Sequence, residues 1–358
     1  MGRSVFIAAG GTGGHTYPAL AISEEFRKRR IDIYWIGSTS GMERGIVSKK
    51  KIRYLGLPVS GYRCKNLFKM ITSIFFAIIS TIISIFLILK IRPKLILGMG
   101  GYVSGPIGLA AVLSRTKLVI HEQNAIPGFT NKILFRFAQK VFEGFPGTFK
   151  HEDTIYSGSP VRKEIWLANK KLYKKNNSLL NILIVGGSSG ARFFNIFLPQ
   201  VIKKICIERK VSVLHQTGLR DFVSTQKLYE NLRLREYVKV VPYIDAMDQA
   251  YIEHDLLLSR AGASTVSEIL AVGINSILIP FPFSVDSHQV YNAQFLAEQG
   301  GCHIILEKDC TLEGVVALVK KVGFNEQIKE RVISITSSIA IPNSASIIVD
   351  SCMEFFDA

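Results

Sequence analysis

The sequence predicts an α/β protein made of two doubly wound, parallel-sheet domains that face one cleft. Three observations carry this. The apolar stretch Val5–Ala9 runs directly into Gly10-Gly-Thr-Gly-Gly-His15, and a near-copy recurs where Ile182–Val185 leads into Gly186-Gly-Ser-Ser-Gly-Ala191. Short apolar runs alternate with helix-length patterns along the whole chain, which is the mark of a parallel sheet covered by helices. A length of 358 residues suits two domains with sizeable cores.

In the first half, Val5–Ala9 reads as a strand and Tyr17–Arg30 as a helix. Asp32–Ile36 is a strand ending at Gly37, and Leu95–Leu97 leads into Gly98-Met-Gly-Gly-Tyr-Val-Ser-Gly-Pro106 and an apolar helix to Leu113. Lys117–Ile120 is a strand ending at His121. Gly158-Ser-Pro-Val-Arg162 ends this domain, so its bounds are 1–162, and the polar stretch Asn169–Ser178 is a surface excursion beyond it. The second domain, 163–340, repeats the pattern with strands Asn181–Val185, Val211–His215, Leu256–Leu258 and Ser276–Pro280. Residues 341–358 hold a closing helix, Ser344–Phe356. In such sheets ligands bind at the carboxyl ends of the strands, where Gly10–His15, Gly98–Pro106 and His121–Gly128 fall.

Charge is unevenly spread. Residues 1–160 carry 22 Lys and Arg against 8 Asp and Glu, a net +14, whereas the rest of the chain carries 22 against 20, a net +2. Between Arg44 and His121 there are 13 basic residues and no acidic one. A one-sided basic field calls for an anionic partner, nucleic acid or an anionic membrane, unless it is a compositional bias alone. No nucleic-acid recognition motif accompanies it. Inside this region Met70–Leu89 is a 20-residue run without charge. Its length would span a bilayer, but a span would put the two glycine loops on opposite sides of the membrane. It is read as a helix of the first domain lying on anionic lipid, with a buried core helix as the alternative. Five scattered cysteines (Cys64, Cys206, Cys302, Cys310, Cys352) lack C-x-x-C spacing, which predicts reduced cytosolic thiols and neither a disulfide framework nor a zinc site. The immediate entry into a strand predicts no cleavable signal peptide.

A glycine turn between a strand and a helix exposes backbone N–H groups at the positive end of the helix dipole, a seat for phosphate. A dinucleotide dehydrogenase is a poor match. Thr16 stands where the third glycine of G-x-G-x-x-G belongs, and the second strand ends Ile36-Gly37-Ser38 without the acid that holds a ribose. The P-loop spacing is absent too. In the second half, Ser259-Arg-Ala-Gly-Ala-Ser-Thr-Val-Ser-Glu268 offers a pyrophosphate seat at a helix start, with Ser264 and Thr265 hydroxyls and Glu268 one turn on for ribose hydroxyls. A capping box built from Ser264 or Thr265 and Glu268 is the structural alternative. Asp286–Asn292 collects polar groups suited to a sugar's hydroxyls.

These segments, G-G-T-G-G-H15, G98-M-G-G-Y-V-S-G-P106, H121-E-Q-N-A-I-P-G128, G158-S-P-V-R162, G186-G-S-S-G-A191, H215-Q-T-G218 and the stretch from Ser259 to Ala293, resemble the MurG family. Its members are UDP-N-acetylglucosamine:undecaprenyl-diphosphoryl-muramoyl-pentapeptide N-acetylglucosaminyltransferases. The resemblance covers nearly the whole chain in order. It implies a GT-B fold of two Rossmann-like domains, an N-terminal one for the acceptor and membrane and a C-terminal one for the UDP-sugar. It implies conversion of lipid I to lipid II at the cytoplasmic face of the plasma (inner) membrane, with no cofactor, no metal, and cell-wall synthesis proteins as partners. Carried over by position, Thr12, Gly13 and Gly14 would approach substrate phosphates, Tyr102 would join the substrate-binding set, and Asn124 would contact the sugar. Arg162 and Ser188 would meet the UDP, Ile244 the uracil through its backbone, Ala263, Ser264 and Thr265 the phosphate, and Glu268 the ribose. His288 and Gln289 would read the N-acetylglucosamine hydroxyls. Ser189 stands where the family pattern has Gln, and Gly273-Ile-Asn275 lacks the expected proline. An α-linked donor and a β-linked product imply inversion in one displacement, which needs a base for the acceptor's 4-hydroxyl. His15 is the first choice, against a reading in which it only positions the loop; His121 with Glu122 is the second. As a metal pair those two lack a third ligand. A diacylglycerol glycosyltransferase and an inactive membrane-associated nucleotide-sugar binder are the rival readings.

Overall fold

The computed structural model describes residues 3–11, 13–59, 67–169 and 179–357, residues 67–70 by their backbone only. Thr12, Cys64 and all but the first residue of the stretch Asn169–Ser178 lie outside the described residues. The chain divides into two compact units, one formed by Met1–Arg162 with Asn343–Ala358 and one by Lys163–Pro342.

The first unit runs β1 (Ser4–Ala8), α1 (Gly13–Lys28), β2 (Asp32–Ser38), α2 (Glu43–Lys49), β3 (Arg53–Leu57), α3 (Leu67–Ile91), β4 (Leu95–Gly98), α4 (Gly101–Leu113), β5 (Lys117–Glu122), α5 (Phe129–Leu134), β6 (Lys140–Glu143) and β7 (Thr154–Tyr156). Its sheet has the order β3-β2-β1-β4-β5-β6-β7. All its pairs are parallel, with Val5 of the central strand flanked by Ile33 and Leu95. The two-residue period of a strand sends Val5 and Ile7 to one core and Phe6 and Ala8 to the other, which is why β1 is apolar from Val5 to Ala8.

α3 is built the opposite way from an ordinary amphipathic helix. Its hydroxyl residues Ser80, Thr81 and Ser84 are buried, while Ile71, Ile74, Phe75, Ile78, Ile82, Phe86 and Leu89 are exposed, Phe86 to 66%. Thr81 and Ser84 satisfy their hydroxyls on the backbone one turn earlier, Thr81 Oγ1 to Ala77 O at 2.9 Å and Ser84 Oγ to Ser80 O at 2.6 Å. Small residues on this side let α3 pack closely on α4. The alternative of a fully buried core helix does not fit: among the described residues Ile88 is the one large α3 side chain buried in the core, with Ile83, Ile85, Leu87 and Ile91 packed partly buried against it and the rest of the apolar face exposed. The outward sides of α4 and α5 add exposed Leu109, Leu113, Phe129 and Ile133.

The second unit runs α6 (Lys163–Asn169), β8 (Leu180–Val185), α7 (Arg192–Glu208), β9 (Val211–Gln216), α8 (Phe222–Asn231), β10 (Val238–Val241), α9 (Met247–Glu253), β11 (Leu256–Ser259), α10 (Ala263–Val272), β12 (Asn275–Leu278), α11 (His288–Glu298), β13 (His303–Ile304), α12 (Leu312–Gly323) and α13 (Glu326–Ile339). Its parallel sheet has the order β10-β9-β8-β11-β12-β13. Both sheets reverse direction of growth beside their first strand, the topology that opens a binding crevice at the strand carboxyl ends.

The last helix, α14 (Ser344–Asp357), returns to the first unit and packs on α1. Ile348, Val349, Cys352 and Phe356 join the core around Val5 and Phe26, with the Phe26 and Phe356 rings 6.2 Å apart. Polar pins fix it: Ser344 Oγ donates to Gly158 O at 3.0 Å, and Lys140 Nζ to Ser351 O at 2.6 Å.

Candidate active site

Each unit gathers its polar loops at the carboxyl end of its own sheet. In the first, the loop after β1 passes over a buried carboxylate. Glu43, at the start of α2, accepts from Ser38 N–H at 2.8 Å and Gly11 N–H at 3.4 Å, and from the Tyr54 hydroxyl at 3.3 Å. A side chain on Gly10 would collide with it, so the loop needs glycine there. Tyr102 lies against Gly11, its hydroxyl bonded to Ser38, and burial followed by the Glu43 charge raises its pKa. Gly13 and Gly14 form the first turn of α1, and Thr12 lies outside the described residues. The Gly11 N–H is thus turned toward Glu43, and the N–H groups that can meet an anion are those opening α1.

His15 is half-buried and sits against Gly100 and Gly101: a Cβ on Gly100 would come within 3.5 Å of its Nε2. Both glycines have positive φ, so this close approach is open to few other residues. His121 is placed differently. It is fully buried, its Nε2–H donates to Gly158 O at 3.0 Å, and its Nδ1 accepts from Gln123 Nε2 at 2.9 Å. Burial outweighs its bond to Gly158 and the charge of Glu122, and holds its pKa down at about 4. Glu122 is equally committed. Its Oε1 accepts from Asn124 N and Nδ2, both at 3.0 Å, and its Oε2 from Gly128 N at 3.0 Å and Asn131 Nδ2 at 2.9 Å. Four bonds fold residues 122–128 around one carboxylate. The pair expected as second-choice base is therefore a scaffold, because neither group has a lone pair turned to solvent. Arg162 closes the unit with its guanidinium 4.5 Å over the Tyr17 ring.

In the second unit the loops after β8, β9 and β10 lock together. Gly190 and Gly218 have φ of +78° each, and a Cβ on either would overlap the other loop's backbone. Ser188 stands exposed on the first loop. Ile244 is buried, and its N–H donates to Gln216 Oε1 at 2.9 Å. α10 begins after Gly262 and has no side-chain cap, so the capping box does not form. Glu268 accepts instead from the Tyr251 hydroxyl of α9 at 2.8 Å. The first turn, Ala263 to Thr265, thus keeps its N–H groups without a cap, and the Ser264 hydroxyl is buried without a partner. Gln289 Oε1 accepts from Ala261 N at 3.2 Å and Phe281 N at 3.0 Å, which leaves its amide NH₂ as the donor. His288 Nδ1–H donates to Val285 O at 2.8 Å, which leaves Nε2 as an acceptor, and the turn before it holds Asp286 and Ser287 at positive φ. Among the described residues no group of three or more His, Cys, Asp or Glu is placed to hold a metal ion.

Sequence reasoning missed Glu43, Gln216, Tyr251 and Arg260. The last is buried, ion-paired with Glu307 at 2.6 Å, and donates to the carbonyls of Ile279 and Pro280. Only Gln216 and Arg260 lay inside motifs already noted. The other two act through contacts that no motif marks, Glu43 with Ser38 and Gly11 and Tyr251 with Glu268.

Two doubly wound parallel-sheet units, the second with an uncapped helix start beside a half-buried carboxylate and a paired His-Gln, define a nucleotide-sugar-type glycosyltransferase framework. Residues 5–143 match the glycosyltransferase family 28 N-terminal domain and residues 181–340 its C-terminal domain. The chain therefore belongs to glycosyltransferase family 28, in its MurG group. A UDP-N-acetylglucosamine–N-acetylmuramyl-(pentapeptide) pyrophosphoryl-undecaprenol N-acetylglucosamine transferase of Vesicomyosocius okutanii is 40% identical over 97% of both chains. Its counterpart in Coxiella burnetii is 37% identical over 99% of both. The crystal structure of Acinetobacter baumannii MurG superposes with a TM-score of 0.80 at 33% identity, covering 98% of this chain and 99% of that one.

Proposed function

We propose that this protein transfers N-acetylglucosamine from UDP-N-acetylglucosamine to the 4-hydroxyl of the muramoyl sugar of lipid I, giving lipid II. The observation that carries this is its likeness, over nearly the full length of both chains, to relatives named for that reaction. In this reading the α10 start, Ala263 to Thr265, takes the UDP pyrophosphate and stabilises the charge of the leaving group. Glu268, steadied by Tyr251, takes the ribose, Arg162 and Ser188 assist the UDP, and Ile244 takes the uracil through its backbone. His288 accepts and Gln289 donates hydrogen bonds at the sugar. Thr12, Gly13 and Gly14 serve the donor or acceptor phosphates, Asn124 contacts the sugar, and Tyr102 joins the substrate-binding set. His15 is the base, because the alternatives His121 and Glu122 have all their acceptor capacity engaged. The protein works as a peripheral enzyme at the cytoplasmic face of the plasma membrane. Its apolar α3 face and the basic residues around it supply the docking surface to anionic lipid, and its lipid-linked acceptor lies in that membrane.

The test is incubation with UDP-N-acetylglucosamine and lipid I, scored by lipid II formed and UDP released in equal amounts. UDP-glucose should be used at least 10-fold less well, because a site that bonds a polar substituent rejects analogues lacking it. UDP release without lipid II would favour the diacylglycerol glycosyltransferase reading if diacylglycerol were glycosylated instead.

A further inference from the structure

The buried side chain of Gln216 lies at the carboxyl end of β9, between the loops that follow its two neighbouring strands. Both ends of its amide are engaged. Nε2 donates to Gly187 O at 2.9 Å, and Oε1 accepts from Ile244 N–H at 2.9 Å. The first partner lies in the glycine loop after β8, the second in the turn after β10. The next residues extend the tie: Thr217 N–H donates to Val241 O at 3.0 Å and Gly218 N–H to Pro242 O at 3.1 Å.

A rigid amide of this kind does more than fill space. The Gly187 carbonyl also accepts from Gly190 N–H at 2.9 Å, but the buried Ile244 N–H is held by Gln216, so removing the amide leaves that N–H unpaired and cuts the tie from the glycine loop to β9. The turn after β10 would shift to find a partner for Ile244 N–H, and the glycine loop would no longer be held against it. Ser188 is adjacent to the first contact and the base-reading segment is the second. We propose that Gln216 is a positioning residue that sets the spacing between the diphosphate-side loop and the base-reading backbone of the nucleotide donor. This rests on the UDP-sugar reading above. It assigns to Gln216 a part in nucleotide selectivity, because a base is discriminated only if its reader is held at a fixed distance from the phosphates.

The experiment compares wild type with Gln216→Met, which keeps the length of the side chain and removes its amide, and with Gln216→Glu, which keeps an acceptor for Ile244 N–H. UDP and ADP binding are measured by calorimetry, and KM and kcat with UDP-N-acetylglucosamine and lipid I. Gln216→Met is expected to raise the UDP Kd and the donor KM by about 10-fold or more, with kcat within about 3-fold and the lipid I KM unchanged. The preference for UDP over ADP should shrink, and Gln216→Glu should recover part of it. If Gln216→Met folds, by circular dichroism and melting temperature, and keeps the wild-type UDP Kd and selectivity, the proposal fails. A uniform loss of affinity for UDP and ADP would overturn it equally, as a purely structural role predicts. Where Gln216→Met does not fold, Gln216→Glu alone decides by its selectivity ratio. Failure of the wild type to bind UDP would refute the donor reading itself, which separates the two.

Discussion

His15 and His121 carry the same ring into opposite surroundings. His15 stands half-buried against two glycines, whereas His121 has both ring nitrogens bonded inside the fold. His15→Ala should lose about 10²–10⁴-fold in kcat and still bind UDP, as removal of a general base does. Wild-type turnover by that variant would remove His15 from the mechanism. Glu268→Ala should raise the donor KM by about 10–100-fold with little change in kcat, the loss of a hydrogen bond to a charged group remote from the reacting bond. Circular dichroism separates this from unfolding. The buried histidines also set a pH dependence. Burial holds His121 down at about 4 and His215 at about 3, against 6.5 in the unfolded chain. Between those values the unfolded chain binds protons that the native one refuses. The stability is therefore fully present above about pH 6.5 and drains away as pH falls toward the native values. From pH 6.5 to 5 each histidine should cost about 2 kcal/mol. Urea titrations at pH 7 and pH 5 should show the midpoint falling, and His215→Asn should flatten the fall.

At the scale of elements, α3 inverts the usual rule, with hydroxyls inward and phenyl and butyl groups outward. Ile78, Ile82 and Phe86 changed together to Ser should abolish binding to anionic vesicles and leave the melting temperature unchanged, since all three are exposed. Ser84→Leu should do the reverse. Its hydroxyl is buried, so a larger side chain would overpack the α3–α4 contact and cost roughly 1–3 kcal/mol. Changing Lys90, Arg92 and Lys94 to Gln should weaken binding to anionic vesicles more than to neutral ones, as each basic residue near such a surface contributes about 1 kcal/mol. The run's hydrophobicity was plain in the sequence, but its orientation was not. Composition shows that Ser80, Thr81 and Ser84 are weakly polar, and only the packing of α4 shows that small size outweighed polarity there. Central strands such as β1 and β8 were legible because both their faces are buried and read as unbroken apolar runs. β3, β7 and β10 were not read, because they are short edge strands whose one exposed side mixes in Arg53, Tyr156 and Lys239. α1 starts at Gly13, before the expected Tyr17, because glycines that look like loop open its first turn. The site divides along the same line. Loops rich in glycine announced themselves, while Tyr251 and the amide of Gln216 owe their roles to partners 17 to 29 residues away, and Glu43 joins Ser38, 5 residues away, to Gly11, 32 residues away, which no local pattern reveals.

For the molecule as a whole, the fold of the first unit depends on its last helix. Deleting residues 343–358 would strip Ile348, Val349, Cys352 and Phe356 from the core around Val5 and Phe26. That deletion should lower the melting temperature by at least 10 °C, since four buried apolar side chains contribute well over about 4 kcal/mol together. Near-wild-type melting would show α14 to be dispensable. The membership of α14 also has a consequence for synthesis. A ribosome delivers the chain from its amino end, and domains ordinarily mature in that order. Here the unit that emerges first stays open along one flank until residues 343–358 have been made and have cleared the exit tunnel. The unit encoded in the middle is the first to be complete. While translation lasts, the nascent chain carries a finished second unit, an unfinished first one and the exposed apolar surface of α3, a state in which the first half is most open to proteases and to chaperones.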